Sequence, residues 1–500
     1  MTAAERTGTP LTTTRETFDV LSPATGELVG THRTTTHYEV TGAVRRARDS
    51  AVWWAGLGFG ERSRRLDAWR RRIARGAPEL ADLINREMGK PRPDAMLEIA
   101  MGLEHLAWAS RTAARVLGRR RVRPSALTVN HEAIVEYRPL GVVGVIGPWN
   151  YPVFTPLGSL SGALAAGNTV VFKPSEYTPG VGRWLADAFR EVVPEHPVLQ
   201  VVTGDGSTGA ALCRAGVDKI GFTGSTATGR AVLAACATSL TPVLMECGGK
   251  DALLVDADAD LAAAADATVW GGLSNAGQTC LAVERVYVHA DVYDEFLDRV
   301  VARARTVRPG GQIGPITMPS QVDVIERHIR DALDRGGRAV LGGADAIQGR
   351  YVSPTILVDV PDDSVAVTEE TFGPVLVVTK VEDMDEAVAR TNSGRYGLGA
   401  TVFSRRNGRA IAERIRSGAV SVNAFVAHAT VPSLPLGGVG DSGFGRVHGA
   451  DGLREFAYAR ATTVQRFPSP LPLTTFRRTA AVDSLVRLLI GGLHGRRLPR

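Results

Sequence analysis

GVVGVIGPWNYPVFTPLGSLSGALAAGNTVVFK, Gly141 to Lys173, reads as a strand, a helix and a second strand. Val142 to Ile146 and Thr169 to Phe172 are apolar runs of strand length, and Pro156 to Ala166 between them has helical composition. Apolar runs without alternation mark strands buried on both faces, as in a parallel sheet with helical crossovers. Working outward, further strands are expected at Leu199–Val202, Lys219–Phe222 and Val243–Met245, each separated from the last by a helical stretch. That repetition argues for a parallel, doubly wound α/β sheet. A second alternating series from Ala252 to Val422 predicts a second α/β domain.

Upstream, Phe18 to Glu27 reads as a strand entering a turn, and helical patterning runs from Thr41 to Leu117. Within it Leu66, Trp69, Ile73, Leu80, Leu83 and Ile84 recur at helical spacing. The arginines between them read as a solvated face, Gly89-Lys90-Pro91 breaks the run, and Arg119 to Arg121 reads as surface. Pro124 to Tyr137 turns β-like.

Five hundred residues exceed one ordinary core, so two or three domains are expected. A net charge of +6 is small for this length and gives no reason to invoke nucleic acid. Much of the excess lies after Gln465, where seven arginines face only Asp483. Cys213, Cys236, Cys247 and Cys280 show neither paired nor metal-ligand spacing, so no metal site and a reducing, cytoplasmic compartment are expected. Cys213 and Cys236 read as buried structural thiols, and His105, His289, His328 and His428 lack partners at ligand spacing. Met1 to Asp19 has no apolar signal core. No apolar run reaches the roughly 20 residues that span a bilayer.

Two segments combine chemistry with glycines that permit close approach. MECGGKDALLV carries the carboxylate of Glu246, and GGLSNAGQTCLAVERVYV carries the thiol of Cys280. An ionised thiol attacks carbon, and a carboxylate activates water against the thioester that follows. Pro148 and Pro152 flank Asn150 in a fixed loop after the Val142–Ile146 strand. Lys173, Ser175 and Glu176 follow a buried strand, where parallel sheets bind ligands. Gly224-Ser225-Thr226 opens a helix without the G-x-G-x-x-G fingerprint.

These motifs, in this order, resemble the aldehyde dehydrogenase superfamily of the non-acylating type, from about Phe18 to Gln465. The resemblance implies a Rossmann-like cofactor domain, an α/β catalytic domain and a small β oligomerisation element. Those would be residues 1–123 with 141–247, residues 248–445, and residues 124–140 with 455–467. It implies that Cys280 is the nucleophile, Glu246 the base for deacylation, and Asn150 with the Cys280 amide the oxyanion hole. It further implies cofactor contacts from Ile146, Trp149, Lys173, Ser175, Glu176, Gly224, Ser225, Glu370 and Phe372. Glu176 favours NAD over NADP, because its carboxylate would repel a 2′-phosphate. A homodimer or homotetramer is implied. The late segment Gly437 to Gly445 resembles an element whose role in the family is mainly packing and positioning, and it is assigned no chemistry.

Two features depart from the family: Cys247 stands where an aliphatic residue is usual, and the chain continues beyond Arg466. In that tail, residues 468–500, Ala480 to Leu493 reads as a short apolar helix with basic flanks. It suits weak contact with an anionic membrane or packing on a subunit. Phe425 and small apolar residues after Val422, with Leu281 after Cys280, point to an apolar aliphatic or aromatic aldehyde. The alternatives are a semialdehyde dehydrogenase and a member of the fold that binds without catalysing.

Overall fold

The computed structural model describes residues 16–469 and 473–495. The strands expected between Gly141 and Met245 form at Val142–Ile146, Thr169–Lys173, Leu199–Val201, Lys219–Gly224 and Val243–Cys247. All five are parallel, and Val142–Ile146, first in sequence, lies third from one side. The chain winds from it first through Thr169–Lys173 to Leu199–Val201, then back through Lys219–Gly224 to Val243–Cys247. The order therefore reverses between Val142–Ile146 and Lys219–Gly224, and a crevice opens beyond the carboxyl ends of these two strands. The loop holding Asn150 and the helix Thr226–Ala237 begin there. Gly443–Phe444 closes one edge, antiparallel to Met245 and Glu246.

Only Gly248, Gly249 and Lys250 separate this sheet from a second, seven-stranded one. Its first two strands, Asp251–Val255 and Val283–His289, run parallel with Asp251 opposite Val283. That register decides the site. It lays the residues just before Asp251 beside those just before Val283, so the Glu246 strand end meets the Cys280 loop. Thr355–Val358, Val375–Val381, Gly399–Phe403 and Ala419–Val422 extend the sheet in parallel, and Arg338–Leu341 joins antiparallel.

Four helices, His37–Gly56, Gly58–Arg75, Ala77–Met88 and Arg92–Leu117, precede the first sheet. Leu66, Trp69, Ile73, Leu80 and Ile84 are buried as their spacing required, and Leu83 is half-buried. The arginine-rich stretch is not uniformly solvated. Arg62 is buried, with its guanidinium donating to the Ala55 and Ala165 carbonyls, and burial lowers its pKa to about 10.

The described chain forms two compact units. Residues up to Leu117 together with Arg138–Tyr458 hold both large sheets; Gly118–Tyr137 and the residues from Ala459 onward form the other. A third sheet is ordered Ala457–Gln465, His131–Pro139, Arg120–Val122, and most of its residues fall in the smaller unit. The β-like stretch starts later than its composition suggested, since Ala126–Thr128 is a 3-10 turn before the His131 strand. The tail helix forms at Ala480–His494, with Thr479 capping its first turn. No residue described in it is buried.

Candidate active site

Cys280 stands where two cavities meet. One, of about 1020 Å³, runs along the switch-point crevice; the other, of about 350 Å³, is a narrower channel. Cys280, Cys247, Thr155 and Thr223 line both. Ahead of Cys280, Asn275 and Ala276 adopt left-handed backbone (φ 52° and 56°), a conformation that costs energy for residues with a Cβ. Gly277 (φ 72°) follows, and a Cβ on it would lie 2.1 Å from the Gly373 carbonyl oxygen. The turn is held by Gln278, whose amide donates to the Asn275 and Pro315 carbonyls and accepts from the Thr317 amide.

Asn150 is buried, and its Nδ2 donates to the Gln278 carbonyl over 3.1 Å. Its own carbonyl accepts from Asn275 Nδ2 (3.2 Å) and Lys90 Nζ (2.8 Å). Lys90 pairs with Glu98, and both are almost completely buried. The other Glu98 oxygen accepts from the amides of Val153 (2.8 Å) and Phe154 (3.1 Å). One buried ion pair thus grips the Asn150 loop at both ends. The ammonium also lies 3.7 Å from the centre of the Tyr151 ring.

Glu246 is buried and lines the channel; its Oε1 has no hydrogen-bond partner among the described residues. Burial pushes its pKa up to about 8, opposed by the charge of Arg446. Burial, then the carboxylates of Glu246, Glu370 and Asp251, push the Cys280 thiol upward. Cys247 rises to about 11, chiefly through burial. Its sulfur packs against Gly229, where a Cβ would lie 2.9 Å from it.

All nine residues implied for the cofactor line the larger cavity. At one end, Lys173 Nζ is buried, donates to the Pro174 carbonyl (2.9 Å) and lies 3.6 Å from Glu176. In the middle, Ser225 caps the helix Thr226–Ala237, which presents its N-terminus to the cavity. Towards Cys280, Phe372 stands edge-on to Trp149 with ring centres 5.6 Å apart. Glu370 accepts from the Gly249 amide (3.1 Å) and occupies the space that a Cβ on Gly248 would fill. Burial raises its pKa to about 8.

Lys250 and Glu284, the second buried pair, steady this end. Lys250 Nζ donates to Thr371 Oγ1, and Glu284 accepts from the amides of Thr371 and Phe372. Ser442, from the late glycine-rich segment, donates to the Gly248 carbonyl (2.8 Å), which gives that segment a positioning role.

The sequence reading missed both buried pairs. Lys90 reads locally only as part of the Gly89-Lys90-Pro91 break, but Glu98 leaves a signal. It falls on the register of Ala95, Ile99, Gly102 and Leu106, so a carboxylate occupies the buried face of an otherwise apolar helix stripe.

The family model described as "Aldehyde dehydrogenase family" matches residues 11–462, and the chain belongs to that family. It is 37% identical over 450 residues to a "4,4'-diapolycopene aldehyde oxidase" of Methylomonas sp, covering 88% of this chain and 84% of that one. It is 35% identical to a "Probable succinate-semialdehyde dehydrogenase [NADP(+)]" of Sinorhizobium fredii, covering 88% and 91%. Among solved structures, it is similar to an NAD-dependent aldehyde dehydrogenase from Sinorhizobium meliloti, with TM-score 0.87, 33% identity and coverage of 92% and 93%.

Proposed function

We propose that this chain oxidises an apolar aldehyde to the carboxylate with NAD, through a covalent adduct on Cys280. The observation that carries this reading is Glu246. It is a buried carboxylate with an unpartnered oxygen, in the same channel as the thiol. Once its proton has left to solvent, the Cys280 sulfur adds as the thiolate to the aldehyde carbon, and the carbonyl π electrons become an alkoxide. The remaining Asn150 amide N–H and the Cys280 backbone N–H stabilise that charge. The larger cavity fits a dinucleotide: a buried lysine and a carboxylate for ribose hydroxyls, a helix N-terminus for the pyrophosphate, and an aromatic pair near the thiol. NAD held there would supply the hydride acceptor that collapse of the adduct to the thioester requires. Glu246 then takes a proton from water, the resulting hydroxide attacks the thioester carbon, and the thiolate leaves.

NAD is favoured over NADP because the Glu176 carboxylate would lie where a 2′-phosphate is otherwise placed. One curated relative is named for a diapolycopene aldehyde and the other for succinate semialdehyde. No Lys or Arg is among the described residues lining the channel, which favours an apolar substrate over one bearing a carboxylate.

The reading extends to a cytoplasmic homodimer or homotetramer. Ala457–Gln465 is the outer strand of its sheet, with a pairing edge that a second copy would cover. No helix among the described residues is long and apolar enough to cross a membrane. The tail helix, with Leu488 and Ile490 exposed and arginines on either side, supports weak contact with an anionic lipid surface.

NADH absorbance with a panel of aldehydes tests the reaction. Turnover should vanish in Cys280→Ala while NAD binding persists, and retained turnover in that variant would remove Cys280 from the mechanism.

A further inference from the structure

We propose that the channel ends in a distal subsite, formed by Leu97, Trp270 and Phe425, that takes the far end of a long-chain hydrocarbon aldehyde. The proposal rests on the reading of Cys280 as the nucleophile and names the substrate class of that site. From Cys280 outward, the walls are Leu281, Leu398, Phe154, Leu436 and Val447, all buried. Nearer solvent the large side chains of the lining stay apolar, with Asp94 and Thr430 beside them. Leu97 and Trp270 are each 47% exposed, and Phe425 meets Trp270 edge-on with ring centres 5.7 Å apart. Two different helices, Arg92–Leu117 and Leu261–Leu273, supply the two open side chains. Large apolar residues held open beside a cavity mark a ligand surface more often than chance placement.

Size sets the chain length. At roughly 30 Å³ per heavy atom, the share a water takes in the liquid, the 350 Å³ channel holds about a dozen chain atoms. A short aldehyde leaves that apolar volume unfilled, and one of about fourteen carbons fills it and lies across Trp270 and Leu97. Each further methylene moved from water into the channel should raise kcat/KM by about fourfold. Gains at the half-open mouth should be smaller, about twofold.

The experiment compares kcat/KM for n-alkanals of six, ten and fourteen carbons, each below its solubility limit. The wild-type enzyme should favour them in ascending order of length. Trp270→Ser, and separately Leu97→Ser, should lower the fourteen-to-six ratio by about tenfold. Both side chains are half exposed, so the two variants are independent checks against misfolding. Oxidation of hexanal with no gain for longer chains would overturn the subsite and leave the dehydrogenase reading standing. An unchanged fourteen-to-six ratio in both variants would also overturn it. If no alkanal is oxidised at any length, the dehydrogenase reading falls and the subsite falls with it.

Discussion

Glu246 should set the pH dependence of thioester hydrolysis and leave hydride transfer to other groups. Its carboxyl has lost water without gaining a partner at Oε1, which is why its pKa stands near 8 instead of the usual carboxylate value. The base form is the charged one, so raising pH creates it. With a pKa of about 8, the ionised fraction is about 1% at pH 6, about 9% at pH 7 and about half at pH 8. Where deacylation limits turnover, the steady-state rate should climb about ninefold from pH 6 to 7, about fivefold from pH 7 to 8, and flatten above 9. Stopped-flow NADH absorbance separates the two half-reactions in one trace. The burst reports formation of the acyl-enzyme, and the slope that follows reports its hydrolysis. Glu246→Gln should keep a burst near one equivalent per site while its slope becomes small and loses the step near pH 8. A wild-type slope that stays flat from pH 6 to 8 would refute the assignment of that pKa to the deacylating base. A burst that disappears in Glu246→Gln would place Glu246 before hydride transfer and refute the division of labour.

Three further outcomes are expected. Glu176→Gln should raise kcat/KM with NADP relative to NAD by removing a repelling charge, and a wild-type preference for NADP would contradict that role. Glu98→Gln leaves the Lys90 ammonium buried without its counter-charge, which costs roughly 3–5 kcal/mol. Its thermal unfolding should fall well below wild type, and the paired change Lys90→Met with Glu98→Leu should recover much of the loss; an unshifted midpoint in Glu98→Gln would refute the pair's contribution. Full-length chain should co-sediment with liposomes of anionic lipid at low salt more than a chain ending at Pro468. Equal binding by both would dismiss the tail's lipid contact, and a changed oligomeric state on truncation would assign the helix to packing.

Both α/β series were legible because each strand is a short apolar run bounded by turn residues, and no long-range information is needed to see it. Val142–Ile146 was bounded to the residue. The ends were less legible where polar residues extend a strand: Lys173, Thr223 and Glu246 pair in the ladder, yet their composition reads as loop. Seven of the implied cofactor residues, Ile146 to Ser225, gather round one cavity because they sit at or just beyond the carboxyl ends of neighbouring strands, while Glu370 and Phe372 reach it from the segment before Val375–Val381. A parallel sheet brings such positions together whatever lies between them in sequence.

What escaped the sequence is the support behind those residues. Lys90 is about sixty positions from Asn150, and Lys250 is more than a hundred from Thr371. Nothing local in either segment shows that its lysine is buried, because burial of a charge depends on a partner supplied by a distant helix or strand. The two pairs share a logic. In each, a lysine fixes one loop that shapes the space around Cys280, and its glutamate accepts backbone amides of the same loop. Lys90 and Glu98 hold the Asn150 segment; Lys250 and Glu284 hold the segment bearing Glu370 and Phe372. A buried ion pair is a poor source of stability compared with apolar packing, since desolvation offsets much of the attraction. Its advantage is directional. The ammonium and the carboxylate each tolerate few arrangements, so the loops they hold are confined to one geometry. That constraint suits Asn150, whose donor must sit where the alkoxide charge develops and not where the ground-state carbonyl rests.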